Sequence, residues 1–141
     1  MSEIGKTDEL VQASFDGHLD HVRALLEEGV DINGMGRIWN PLHAAIENQR
    51  VNVINHLLAA GADVEYLCGG IRPLHHAIDL EIDAATQATI LKEPEPVLTK
   101  ILLDAGANVN GTDDSGMTPL QMAVDRGHKQ AQRLLRSKGA A

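Results

Sequence analysis

Seven histidines and one cysteine, in a chain of 141 residues, are the side chains most able to do chemistry. The tightest group is His75, His76 and Asp79. On a helix, positions three and four apart are neighbours, so these three share one surface. Two imidazoles and a carboxylate are a donor set for a transition metal. A zinc site needs converging ligands, and none beyond these three is evident, so a structural role is the stronger reading. Cys68 stands beside Gly69 and Gly70. A nucleophilic thiol needs a positioned base, and none is implied, so Cys68 reads as a loop cysteine. No P-loop, dinucleotide fingerprint, G-x-S-x-G or H-E-x-x-H motif occurs. The expectation is a non-enzyme with no catalytic residues, no metal and no cofactor.

The net charge of −8 argues against nucleic acid as partner, because phosphate recognition rests on Lys and Arg. Anionic membrane surfaces are disfavoured for the same reason. A single cysteine forms no internal disulfide and fits a reducing compartment. The opening MSEIGKTDEL lacks the apolar run of a secretion signal. No apolar stretch is long enough to span a bilayer. The expected location is cytoplasmic.

The elements that must position these residues come from an internal repeat. Marker leucines Leu10, Leu42 and Leu74 are 32 residues apart, and Leu120 follows after 46. Glycines Gly29, Gly61 and Gly139 each fall 19 residues after their leucine. Gly106 falls 32 after Leu74, so the third unit carries 13 extra residues. The motifs PLHAA at 41–45, PLHHA at 73–77, TPL at 118–120, GADV at 61–64 and GANVN at 106–110 recur around these markers. On these residues the sequence resembles the ankyrin repeat family, over residues 8 to 141. The resemblance implies an all-α solenoid of four helix-turn-helix units in one domain, residues 1–141. Its repeats run at about 8–34, 35–67, 68–113 and 114–141, with an insertion in the third near 81–94.

Local chemistry agrees. Pro41, Pro73 and Pro119 suit the first helical position, where the missing N–H costs nothing. Asp8, Asn40 and Thr118 precede that position and can cap the helix, whereas Arg72 cannot. Leucines and alanines three apart form an apolar stripe on each first helix. The closing glycines suit the left-handed conformation that ends a helix. Leu74, Ile78 and Ile82 continue one face, so the third unit's first helix runs on into the insertion. The resemblance gives His43 and His75 a structural part, bonding to neighbouring loop backbone. It gives His18 and His128, which follow Gly17 and Gly127, a structural place as well. Residues 114–141 carry five basic and two acidic groups, whereas residues 1–113 carry seven and eighteen. This polarity along the axis could orient a partner.

The resemblance also implies binding of another protein through loop tips and the concave helix face. Trp, Tyr and Arg dominate binding hot spots. Arg37 and Trp39 in one loop, with Tyr66, Ile71 and Arg72 in the next and Met117 in the last, are therefore candidate partner-binding residues. Glu47, Asp79 and Asp125 each lie five residues after a marker leucine, so stacking would align them as an acidic column. That column would suit a partner with a basic patch. An inhibitor or immunity-type binder is one form of this reading, and a scaffold or regulatory subunit is another. The alternatives are a structural homo-oligomer joined through Trp39 and the insertion, or a metal-dependent enzyme built on His75, His76 and Asp79. The expected state is a monomer.

Overall fold

The computed structural model describes residues 3–87 and 94–141, with side chains from 5 to 82 and from 94 onward. Eight helices follow in order: α1 (Glu3–Asp16), α2 (Leu19–Glu27), α3 (Pro41–Glu47), α4 (Val51–Ala59), α5 (Pro73–Gln87), α6 (Val97–Asp104), α7 (Pro119–Arg126) and α8 (Lys129–Ser137). Among the described residues there is no strand, only an antiparallel bridge between Cys68 and Ile71. The helices pair as α1–α2, α3–α4, α5–α6 and α7–α8, and α1, α3, α5 and α7 pack side by side as one row.

The repeat register becomes the core. Leu10, Leu42 and Leu74 are buried, and so are Ala13, Ala45, Ala77 and Ala123, each three residues beyond its marker leucine. A methyl at that position lets neighbouring first helices approach closely. Leu25, Leu57, Leu102 and Leu135 do the same work on the second helices, each four residues before a closing glycine, and all four are buried. Gly29, Gly61, Gly106 and Gly139 have φ between +91° and +98°. The residue after each glycine donates its N–H to the carbonyl of that buried leucine, at 2.9–3.2 Å. This is the Schellman closure, and it repeats unchanged in all four units.

Helix starts vary more. Asn40 caps α3 by accepting the His43 N–H at 2.9 Å, and Thr118 forms a full capping box with Gln121 on α7. Asp8 does not cap α1, because that helix begins five residues earlier, at Glu3. The cause lies at position 9. Proline forces the residue before it out of the helical region, and Glu9 imposes no such stop. Arg72, as expected, offers no cap.

α5 spans 15 residues, against seven for α3 and eight for α7. Residues 88–93 of the expected insertion lie outside the described residues. On α5, Glu81 is only 7% exposed. Its carboxylate accepts the backbone N–H groups of Leu98 (2.8 Å) and Thr99 (3.2 Å) and the Thr99 hydroxyl (2.6 Å). These N–H groups open α6, whose own cap position, Pro96, has no side-chain acceptor. Buried His128 completes the cluster. Its Nδ1 accepts the Ala131 N–H at 3.3 Å, which leaves Nε2–H to donate to Glu81 Oε1 at 3.0 Å. One buried carboxylate thus closes α6 and, through His128, ties it to α8. His18 has no such part: it is exposed and makes no capping bond, so the structural place expected for both histidines is filled only by His128.

Loops are joined by a second ladder. Asp31, Asp63 and Asn108 each accept, on a side-chain oxygen, the N–H two residues on. The side chains of Asn33, Glu65 and Asn110 then accept a backbone N–H from the following unit, at Asp63, Asn108 and Ala141.

Glu81→Ala removes the acceptor for four donors at once. Urea denaturation is expected to show a loss of about 3 kcal/mol or more. A loss below about 1 kcal/mol would mean that Glu81 does not hold the third and fourth units together.

Candidate functional site

The first long loop is folded tightly against α1. Gly36 donates its N–H to the Trp39 carbonyl at 2.9 Å, and a Cβ there would stand 3.3 Å from the Val11 methyls. The turn sends Ile38 outward, 69% exposed, and returns Trp39 half-buried toward the helices. A groove of about 460 Å³ results, lined by Val11 and Phe15 of α1 and by Ile38 and Trp39 of the loop. Asp8 and Arg37 bring one charge of each sign to it.

Trp39 is laid on two imidazoles. Its ring centroid is 4.7 Å from that of His76 and 5.8 Å from that of His43, with planes within 18°. The two histidine rings lie edge to edge, with centroids 5.1 Å apart and planes 19° from parallel. His43 Nε2 donates to the Tyr66 carbonyl at 2.8 Å, and His43 Nδ1 meets His76 Nδ1 at 2.9 Å. His76 Nε2 lies 3.2 Å from a Glu47 carboxylate oxygen. Burial disfavours the charged imidazolium and pulls both rings from the ordinary 6.5 down to about 4. For His43, the Tyr66 carbonyl and Glu47 act against that pull and His76 acts with it.

His75 follows the same plan as His43 one unit later, donating Nε2–H to the Met117 carbonyl at 2.8 Å. Burial lowers its pKa, against the pull of that carbonyl. His75 and His76 are thus committed to different partners. Among the described residues no group of three or more His, Cys, Asp or Glu side chains is arranged to hold a metal ion. Cys68 is buried, its thiol donates to the Met35 sulfur at 3.5 Å, and burial pushes its pKa up. A thiol so held is not poised as a nucleophile.

The residues expected to meet a partner divide into two sets. Arg37 and Trp39 lie together at the groove. Tyr66 joins them through its backbone carbonyl under His43. Arg72 is turned to holding loops together: Nε donates to the Thr112 carbonyl at 2.6 Å and Nη1 to the Glu65 carbonyl at 3.0 Å. Ile71 is bonded to Cys68 in both directions, and the Met117 carbonyl belongs to His75. In the acidic column, Glu47 meets His76 and Asp79 pairs with Arg126 at 2.8 Å. Only Asp125 stands exposed. Two charges of the column therefore act first as ties between neighbouring units.

Sequence reasoning passed over Val11 and the pairing of His43 with His76. One signal was present. PLHHA differs from PLHAA by a histidine where repeat two has Ala44, and that extra ring is His76.

Ankyrin-repeat family models match residues 10–87 and 86–136. The chain belongs to the ankyrin repeat family. It is 28% identical, over 94% of its length, to a putative E3 ubiquitin-protein ligase, XBAT34, of Arabidopsis thaliana, of which it covers 33%. It is 32% identical over 82% of its length to a putative ankyrin repeat protein of fowlpox virus, covering 31% of that protein. It is 34% identical over 77% of its length to an interferon antagonist of monkeypox virus, covering 32%. The chain thus spans a third or less of the curated relatives it matches. The recurring loop, hairpin and glycine register of this ankyrin chain is the frame on which the groove is built.

The depressed histidines set a pH dependence. Unfolded, each ring protonates below about 6.5; folded, it resists until about 4. The folded chain therefore binds fewer protons between those values, and stability must fall as pH drops through that window. Unfolding free energies from urea titrations at pH 7.5, 6 and 5 are expected to decline, by about 2 kcal/mol per ring at pH 5, with the midpoints falling in step. A midpoint unchanged from pH 7.5 to 5 would contradict the burial of neutral rings.

Proposed function

We propose that this ankyrin chain is a recognition module that seats an apolar side chain of a partner protein in the groove between α1 and the Trp39 loop. Ankyrin repeats are protein–protein interaction modules. The observation that carries the reading is Ile38 and Trp39 presented beside Phe15 and Val11 in one open groove. Apolar area of that kind, with an aromatic anchor and a polar edge, is the make-up of a binding hot spot. Asp8 and Arg37 give the groove a direction, since a partner must match one charge of each sign.

In this reading the chain acts as a cytoplasmic monomer that binds without chemistry of its own. Binding masks the surface it covers, which is how an inhibitor or immunity-type protein works. The name of the monkeypox relative, an antagonist, supports that form. The net charge of −8 and exposed Asp125 favour a partner with a basic patch, drawn in over long range.

A photo-reactive residue placed at Ile38 tests this directly in native cells. Cross-linking is expected to yield one dominant protein, and adding Trp39→Ala should abolish it. The same probe at Arg23, exposed on α2, should capture little of that protein. Equal capture at both positions, or capture indifferent to Trp39→Ala, would overturn the groove as the binding site.

A further inference from the structure

We propose that His43, His76 and Glu47 form a single proton-binding site beneath Trp39, and that filling it locks the wall of the groove. The argument is a count of protons. The Tyr66 carbonyl only accepts, so His43 Nε2 carries a hydrogen. The 2.9 Å contact between the two Nδ1 atoms needs one hydrogen between them, and a neutral His43 leaves it to His76 to donate. His76 Nε2 is then bare, 3.2 Å from a carboxylate oxygen. The opposite tautomers only move the misfit: if His76 donates to Glu47, His43 Nδ1 must carry the hydrogen and its bare Nε2 faces the Tyr66 carbonyl. Two neutral rings and a carboxylate are always one hydrogen short. A third proton satisfies all three contacts, and on His76 it makes an imidazolium paired with Glu47.

That imidazolium would lie 4.7 Å beneath the Trp39 ring, where a cation is attracted to the aromatic face. Protonation thus tightens the stack that positions the groove's main aromatic. Burial opposes the charge and Glu47 favours it, so uptake falls on the acid side of neutrality. Among the described residues, the other groups near the cluster have partners or places of their own. On α5, His75 is held by the Met117 carbonyl and Asp79 by Arg126. In the next loop the Cys68 thiol stays neutral through burial. On α1, Asp16 accepts from Gln12 at 3.1 Å, and Asp8 and Arg37 lie at the groove. The consequence for partner capture rests on the binding reading above; the proton site does not.

Trp39 is the single tryptophan, so its emission reports on the cluster in the free chain. An imidazolium in ring contact quenches indole fluorescence. Titration from pH 7.5 downward, with helicity followed by circular dichroism, is expected to show a one-proton fall in emission before helicity is lost. Acrylamide should quench Trp39 less at the acid end. His76→Ala, which copies the PLHAA of repeat two, should remove the step, and Glu47→Gln should move it down by about one pH unit. Imidazole ¹⁵N shifts at pH 7.5 should place hydrogen on His43 Nε2. A step that persists in His76→Ala overturns the proposal. So does flat emission in the folded chain, unfolding before either ring charges, or a bare His43 Nε2. Because everything is read without a partner, these results stand apart from cross-linking at Ile38.

Discussion

No single hairpin in this chain can bury its own apolar face. Leu42, Ala45 and Ile46 of α3 are buried because α1 covers one side and α5 the other. The same holds for Leu74, Ala77 and Ile78 between α3 and α7. Helices of seven to nine residues are far below the length at which a helix holds by itself in water, so stacking must supply what propensity does not. The Schellman closures follow from this: each ends a second helix at the leucine that the stack buries, and turns the chain toward the next unit.

The polar contacts obey the same constraint. A loop that runs beside a neighbour leaves carbonyl and N–H groups facing it, and unpaired buried groups are costly. His43 and His75 reach from first helices to loop carbonyls at Tyr66 and Met117. Asn33, Glu65 and Asn110 pass one side-chain oxygen each to the following unit. Arg72 ties the loop before it to Thr112. The groove inherits its rigidity from these ties, since Trp39 rests on the His43 ring that the Tyr66 carbonyl holds in place. Binding surface and stacking seam share residues, and for that reason His43 and Glu47 cannot be assigned to one or the other alone.

Much of this was legible in the sequence because the repeat prints it several times. The leucine, alanine and glycine registers, the prolines and the caps at Asn40 and Thr118 recur, and recurrence separates signal from accident. What occurs once was hidden. Glu81 reads only as the start of an insertion, and only the fold brings the proline-headed start of α6 against it. Glu9 in place of proline lets α1 begin at Glu3, a cue that local rules carry but that the match to the repeat obscured. Arg72 looked like a lost cap, yet its length lets the guanidinium cross to two carbonyls. The acidic column was found as a pattern, but its pairing with His76 and Arg126 depends on distances that spacing alone does not fix. The groove itself joins residues 8–15 to residues 36–39, and no local pattern in either segment announces it.

The central claim is that the four hairpins stand or fall together. Leu135, buried in α8, is at the far end of the stack from Trp39. Equilibrium unfolding of Leu135→Ala in urea, followed both by Trp39 fluorescence and by far-ultraviolet circular dichroism, tests it most directly. If the stack is one cooperative unit, both signals shift to the same lower midpoint, and the unfolding free energy falls by the roughly 2–5 kcal/mol typical of a truncated core leucine. A Trp39 transition left at its wild-type midpoint, with helicity lost in two steps, would contradict the account.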